Sequence, residues 1–248
     1  MGFRGLSLKF TRGLALFSLV GLVGCAGNGE FRDEFDPWEG FNRGVYSFNK
    51  TVDTYALKPV AQGYRYVTPD FVDTGVTNFF NNINELFVSA NDLLQFKFKR
   101  AGTDLGRFAI NSTIGVLGLI DVASDLGMRR NDEDFGQTLG AYGVGAGNYL
   151  VLPFLGPSSV RDAVGVGVKL YSDPLNLIDP SVVQYAVYGL RIVDDRADLL
   201  DAENVLKTAA LDEYIFVRDA YLQKRRDLVY DGNPPPEPDY IDDLPPIP

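Results

Sequence analysis

Apolar positions recur along this chain in helical rhythm. Trp38, Phe41, Val45, Phe48, Val52 and Tyr55 follow one another at spacings of 3, 4, 3, 4 and 3, which is one stripe of a helix. Asp36-Pro37-Trp38-Glu39 reads as its start, with Asp36 placed to cap, Pro37 in the first turn and Glu39 where a capping box wants an acid. Pro59 is expected to end or bend this helix. A second helix is predicted from Phe71 to Phe98, where Val72, Val76, Phe79, Ile83, Leu86, Ala90, Leu93 and Leu94 share a face that Phe80 and Phe87 widen. A third is predicted over Ala101–Ile110, with Leu105 and Phe108 buried. Asp179-Pro180-Ser181 opens another, whose stripe runs Val183, Val187, Leu190, Val193, Ala197 and Leu200. Arg191, Asp194, Asp195, Arg196, Asp198 and Asp201 fall on its other faces, so it reads as water-facing. A last helix is predicted from Asp212 to Val229. No fixed-period repeat and no convincing run of alternating strands is present.

Two stretches break this rhythm. Phe108–Ile120 carries no charge for 13 residues, too few to span a bilayer, which needs about 20. It reads as a core segment or one dipping into a leaflet. Phe135–Val160 carries no charge for 26 residues, six of them Gly and two Pro. Interior Gly costs about 1 kcal/mol relative to Ala, so no long helix fits. The segment is also too apolar for a solvated loop. Irregular backbone at membrane depth must pack on protein or line a cavity.

The N-terminus has a different pattern. Arg4, Lys9 and Arg12 precede an apolar run of 11 residues, 13–23, that ends Leu22-Val23-Gly24-Cys25. This is the layout of a secretory signal, and its end resembles a lipobox, where bacterial lipoproteins are cut and their new N-terminal Cys is acylated. Cys25 is the only cysteine of the 248 residues. Cleavage before it leaves 20 basic against 33 acidic residues, net −13. Acyl chains on Cys25, at about 0.8 kcal/mol per buried CH₂, therefore explain membrane attachment better than charge does. Ala26 points, by analogy with enteric-type lipoproteins, to the outer membrane. Residues 26–35 read as a short tether. The end of the chain, PPPEPDYIDDLPPIP, has seven Pro and no base and reads as an extended or disordered acidic tail.

Composition removes several chemistries. The acidic balance argues against a nucleic-acid partner. The absence of His excludes His bases and His-ligated metals, and one Cys excludes an internal disulfide. The remaining motifs are weak. Asp194 with Asp195, and Asp132-Glu133-Asp134, lie in charge-rich segments that read as solvated, where nothing raises a carboxyl pKa. Asp132–Gly136 lacks the later ligands of a calcium loop. Gly143-Val144-Gly145-Ala146-Gly147 fails the dinucleotide pattern at Asn148. Ser158-Ser159 has no His partner, and only Lys169 could serve as base for a hydrolase. Gly102/Gly106, Gly136/Gly140 and Gly143/Gly147 have the small-xxx-small spacing that permits close helix approach, or simply form turns.

Four ordered blocks carry a family resemblance. They are Asp36–Arg43 with Tyr46, Phe48 and Asn49; Arg107-Phe108 with Asn111–Gly115 and Gly118–Ala123; Phe135–Gly140 with Tyr142–Gly145; and Tyr149–Phe154 with Gly156–Ser158, Arg161 and Asp162. Together with the lipobox they make the chain, from about Leu22 to Val229, similar to the MlaA (VacJ) family of outer-membrane lipoproteins. Asn148 departs from the family's usual Pro, and the Pro-rich tail is not part of its signature.

The resemblance implies a mainly α, single-domain, ring-like helical bundle embedded in the inner leaflet of the outer membrane, with an irregular Gly-rich segment. It divides the chain into a signal peptide (1–24), a lipidated Cys and tether (25–35), the helical domain (36–230) and the tail (231–248). It implies removal of phospholipids from the outer leaflet through an amphipathic channel to a soluble periplasmic carrier, association with a trimeric porin, no enzyme activity, and no cofactor beyond the acyl groups. On that footing Phe135, Gly140, Tyr142, Gly143, Val144, Gly145, Tyr149, Leu150, Leu152 and Phe154 are candidate channel or lipid-contact residues. Phe79, Phe80, Phe87, Ile114, Val116, Leu117 and Leu119 are candidate membrane-facing ones. The competing readings are an adhesin-like lipoprotein acting through its tail and a lipid or peptidoglycan hydrolase.

Overall fold

A computed structural model describes residues 36–203 and 211–236. The signal segment, the lipobox with Cys25, the tether and residues 237–248 of the tail lie outside the described residues.

Helix α1 (Glu39–Val52) carries the stripe that begins at Trp38. Asp36 does not cap it. Its carboxylate is buried and accepts from Asn42 Nδ2 at 2.8 Å and from the Tyr214 hydroxyl, donors with no water to turn to. Glu39 pairs instead with Arg43, one turn on, at 2.7 Å. Pro59 does not end the helical path. The chain widens into a π-helical turn, Asp53–Leu57, and continues as α2 (Lys58–Val67) with Pro59 in its first turn. A wider turn relieves the proline ring's clash with the preceding carbonyls and its missing N–H.

Helix α3 (Asp70–Leu94) starts with Asp70 and Asp73 in its first turn, where the helix dipole favours acids. A left-handed Phe96 (φ 60°) turns the chain into α4 (Phe98–Thr113). Helix α4 packs with the opposite face to that predicted. The buried face of α3 holds Asn82, Glu85, Ser89, Asn91 and Asp92 alongside Gly75, Phe80 and Val88, and that of α4 holds Ala101, Asp104, Arg107 and Asn111. Leu105 is exposed and Phe108 only half-buried. The polar stripe wins the interior because its members are matched. Arg107 Nε meets Glu85 at 2.9 Å, its Nη2 meets Asp121 at 3.0 Å, and its Nη1 donates to Ser124 Oγ at 3.0 Å.

After α4 the loop 114–120 turns its two glycines inward and its five apolar side chains outward. Gly115 and Gly118 are buried, while Ile114, Val116, Leu117, Leu119 and Ile120 are exposed. Val116, Leu117 and Gly118 have φ of 54°, 59° and 93°, a left-handed run that a β-branched residue enters at a cost. A Cβ on Gly118 would come within 2.6 Å of the Asn82 amide.

Helix α5 (Val122–Asp125) is capped by Asp121 and α6 (Phe135–Ala141) by Asp134. Next comes a hairpin that the sequence reading missed. Strands β1 (Tyr149–Leu152) and β2 (Gly156–Ser159) are antiparallel, with Tyr149 opposite Ser159 and Leu152 opposite Gly156. Each has four residues, too short for alternation to register. The Gly-rich segment is thus a short helix, a turn and a hairpin.

Ser159 caps α7 (Val160–Ser172), and a 3₁₀ turn (Pro174–Leu177) leads to α8 (Ser181–Asp198). Asp194 is buried, not solvated, accepting from Tyr64 OH at 2.9 Å and Thr77 Oγ1 at 3.1 Å, while Val183 and Leu190 are exposed. Helix α9 (Glu213–Val229) begins at its Asp212 cap, at the predicted place. Packing contacts trace a closed circuit: α3 on α8, α8 on α2, α1 on β1, β2 on α7, α7 on α6, and α6 back on α3. No described helix is long and apolar enough to cross a membrane.

Candidate functional site

Twenty polar or charged side chains are buried among the described residues, against ten apolar ones. That ratio inverts the usual order of a water-soluble core. The buried polar groups form connected networks that set the position of the Gly-rich segment.

Two asparagines fix the hairpin. Asn42 Nδ2 donates to the Tyr149 carbonyl at 3.0 Å, and Asn42 Oδ1 accepts from Val151 N at 2.9 Å. Two helical turns later, Asn49 Nδ2 donates to the Leu152 carbonyl at 2.9 Å and its Oδ1 accepts from Phe154 N at 2.8 Å. Tyr149 is fully buried, edge-on to Tyr214 and Tyr221. Burial, then the Asp36 charge, pushes its phenol pKa up.

A second network ties α6, α7 and α9. Arg225 meets Asp162 at 2.9 Å and Asp134 at 2.5 Å, Arg161 Nε meets Asp162 at 3.0 Å, and the Tyr221 hydroxyl donates to Asp162 at 2.7 Å. Burial alone would raise the Asp162 pKa. The Arg225 charge and the bonds from Arg161 and Tyr221 outweigh it and hold the carboxyl below its ordinary value. Of the three spaced glycine pairs, Gly136/Gly140 permits close approach. A Cβ on Gly136 would sit 2.4 Å from Asp162, and one on Gly140 2.8 Å from Val229. Gly102 and Gly143 have open space, so their spacing does no such work.

A third network surrounds Glu133, which is also buried rather than solvated. It accepts from Gln95 Nε2 at 2.8 Å and Lys97 Nζ at 2.7 Å. Asp231, first residue of the predicted tail, accepts from Lys97 at 2.7 Å and Arg100 at 2.5 Å.

The candidate contact residues divide by exposure. Tyr142, Gly143, Val144, Gly145 and Phe154 are exposed, with the Tyr142 hydroxyl donating to the Leu94 carbonyl at 2.6 Å. Phe135, Gly140, Leu150 and Leu152 are half-buried, and Tyr149 is interior. Gly143 (φ 85°) and Gly147 (φ 67°) occupy backbone conformations that favour glycine. Of the candidate membrane-facing residues, Ile114, Val116, Leu117 and Leu119 are exposed, and Phe79 and Phe87 half-buried. Phe80, at 5% exposure, packs edge-on to Phe79 and does not reach the surface. A cleft of about 350 Å³ opens beside Lys58, Arg65 and Tyr66, and one of about 530 Å³ beside Arg43, Lys50 and Glu213. Neither is lined by a residue of 135–160.

The serine–lysine pairing that a hydrolase would need is not made. Ser158 Oγ donates to the Ser159 carbonyl at 3.3 Å, and Lys169 Nζ donates to Asn84 at 2.8 Å. Among the described residues no group of three or more acids or cysteines is arranged to hold a metal ion.

Comparison with known proteins gives this architecture relatives. The profile of the family described as "MlaA lipoprotein" matches residues 34–228. The Shigella flexneri protein named "Intermembrane phospholipid transport system lipoprotein MlaA" is 39% identical over 218 residues, 85% of this chain and 85% of its own. Its Escherichia coli K12 namesake is 38% identical over the same shares. An uncharacterized Rickettsia bellii protein is 34% identical over 195 residues, 78% of this chain and 76% of its own. A solved chain from work on the "structural basis for maintenance of bacterial outer membrane lipid asymmetry" superposes with a TM-score of 0.67 at 35% identity, covering 80% of this chain and 100% of that one. The four sequence blocks, now seen as one clamped hairpin and the networks behind it, belong to a single inherited design, and the chain is a member of the MlaA lipoprotein family.

Proposed function

We propose that this protein is an outer-membrane lipoprotein of a phospholipid transport system that maintains lipid asymmetry. Anchored through acyl groups on Cys25, it lies in the periplasmic leaflet. It takes phospholipids out of the outer leaflet along an amphipathic path and passes them to a soluble periplasmic carrier, seated beside a trimeric porin.

One observation supports this above the others: apolar side chains outside, matched charges inside. The exposed Ile114, Val116, Leu117, Leu119 and Ile120 form a contiguous greasy loop, a surface that water penalises and acyl chains accept. With no described helix able to cross, such a surface suits a protein held in one leaflet. A phospholipid needs apolar contact for its tails and polar groups for its head. The exposed Tyr142 and Val144 at the glycine-rich turn and Phe154 at the hairpin tip offer that mixture, and the asparagine clamp holds the hairpin while lipid passes. None of these steps requires a bond to be made or broken.

The test is a deletion strain scored for outer-leaflet phospholipid. Wild type is expected to restore asymmetry and Cys25→Ala to fail. Removal of residues 232–248 is expected to leave transport intact. Loss of transport on that removal would favour a role centred on the tail. Release of free fatty acid from labelled phospholipid by the purified protein would overturn the non-enzymatic reading.

A further inference from the structure

Helix α3 presents Phe80, Asn84 and Phe87 at spacings of four and three, one stripe of a helix. Two cations reach this stripe from other elements. Lys169 of α7 donates to Asn84 Oδ1 at 2.8 Å and lies 6.0 Å from the centre of the Phe87 ring. Arg191 of α8 lies 5.8 Å from the Phe80 ring.

The two cations differ in how they are balanced. Arg191 has Asp173 at 3.3 Å and Asp195 at 4.0 Å. The half-buried Lys169 has a neutral amide oxygen and, among the described residues, no carboxylate within ion-pairing distance. In a chain with ten more acids than bases, the other half-buried lysines among the described residues, Lys58 and Lys97, have carboxylate partners, while Lys99 and Lys224, which have none, are exposed. Burial depresses the Lys169 pKa and the Arg191 charge adds to this. Asp134, Asp173 and Asp132 oppose from longer range. A desolvated ammonium without a counter-ion is costly unless something supplies the anion. The bond to Asn84 uses one of the three donors of the Lys169 ammonium, and two remain.

We propose that Lys169, with Arg191 beside it, binds the phosphodiester of a phospholipid whose acyl chains run past Phe87. The proposal rests on the transport reading above and names a place where the head group is held. A phosphodiester carries the one negative charge that Lys169 lacks, and an ammonium meets phosphate as a point charge without demanding one orientation. The site therefore selects for phosphate and tolerates different head groups. Lys169 serves here as an electrostatic partner, not as a base.

The experiment uses the full lipidated protein in nanodiscs. A photoactivatable phosphatidylethanolamine is compared with the matched diacylglycerol, which lacks the phosphate. Wild type and Lys169→Arg should capture the phospholipid in preference to the diacylglycerol. Lys169→Gln keeps a donor for Asn84 but loses the charge, and Lys169→Met loses both. Both should lower that preference by about tenfold, as loss of one charged hydrogen bond does. Lys169→Met should melt no lower than wild type, because a desolvated charge has been removed. If Lys169 only ties α7 to α3, Lys169→Met would melt lower with its preference unchanged, and the proposal falls. It also falls if inorganic phosphate at millimolar concentration competes as well as the lipid does, since the site would then take free phosphate. The transport reading has its own readout. Wild type failing to restore asymmetry in the deletion strain overturns that reading. Wild type restoring it while Lys169→Gln captures lipid equally well overturns this inference alone.

Discussion

Asn42 and Val151, 109 residues apart, are joined by the Val151 N–H donating to Asn42 Oδ1 at 2.9 Å. The same amide reaches the Tyr149 carbonyl and Asp36, and Asn49 repeats the pairing farther along β1. The open edge of the hairpin is thus filled by side chains in place of a third strand. Asn42→Ala should destabilise the fold by about 2–4 kcal/mol, since it leaves buried donors and acceptors without partners. Asn42→Asp should be no milder, because it sets a carboxylate beside Asp36 and the Tyr149 carbonyl. Thermal melts in detergent followed by circular dichroism would check both.

Arg107 holds α3, α4 and α5 together through Glu85, Asp121, Ser124 and the Met128 carbonyl. Arg107→Ala should cost about 3–5 kcal/mol, the range for breaking a buried pair from one side. Little folded protein is expected.

The same network sets an acid limit. Burial alone would raise the Asp121 pKa, but bonds from Ser124, Asn111 and Arg107 bring it down to about 2. A depressed carboxyl adds stability that is present above its unfolded pKa and lost as pH falls through the folded one. About 2 kcal/mol should therefore disappear between about pH 4 and pH 2. Asp121→Asn should be less stable at pH 7 and show a shallower acid transition.

Asp92 predicts the opposite slope. It is fully buried, and no donor reaches either of its oxygens. Burial, the neighbouring Asp104 carboxyl and the Glu133 charge raise its pKa, with Arg100 opposing. The folded state therefore keeps a proton that the unfolded chain releases, so this group's contribution to stability falls as pH rises above the ordinary carboxylate range. Asp92→Asn should raise the melting temperature at pH 8 and change it little at pH 4.

The loop 114–120 separates folding from membrane contact. Leu117 is 71% exposed, so Leu117→Asp should leave stability within about 0.5 kcal/mol while weakening vesicle insertion. Val116→Gly relieves a left-handed β-branched residue and should stabilise by about 1 kcal/mol. Melting and vesicle flotation measured side by side would test the pair.

Much of the helical frame was legible in the sequence. The last helix begins at Asp212 because an acidic cap precedes an uninterrupted helical run. The inward faces of α3 and α4 were not legible. Both carry an apolar stripe and a polar stripe of the same period, and periodicity does not say which one faces the solvent or what that solvent is. Only the match of Arg107 to Glu85 and Asp121, from three separate segments, decides it. Leu105 was assigned to the interior for that reason. The hairpin was too short to declare itself. Asn42 and Asn49 carried the family resemblance, but their task depends on a strand about a hundred residues away. Glu133 and Asp194 looked solvated because their partners, Gln95 and Lys97 in the turn after α3 and Tyr64 and Thr77 on other helices, are distant in sequence.

The inverted interior has a calorimetric consequence. Unfolding a water-soluble domain raises the heat capacity because oily groups become hydrated, whereas newly wetted polar groups lower it. Here many oily groups already face outward and the hidden ones are largely polar. The heat-capacity increment per residue should therefore fall below the usual 12–15 cal/mol/K, giving a flat stability curve that barely weakens on cooling.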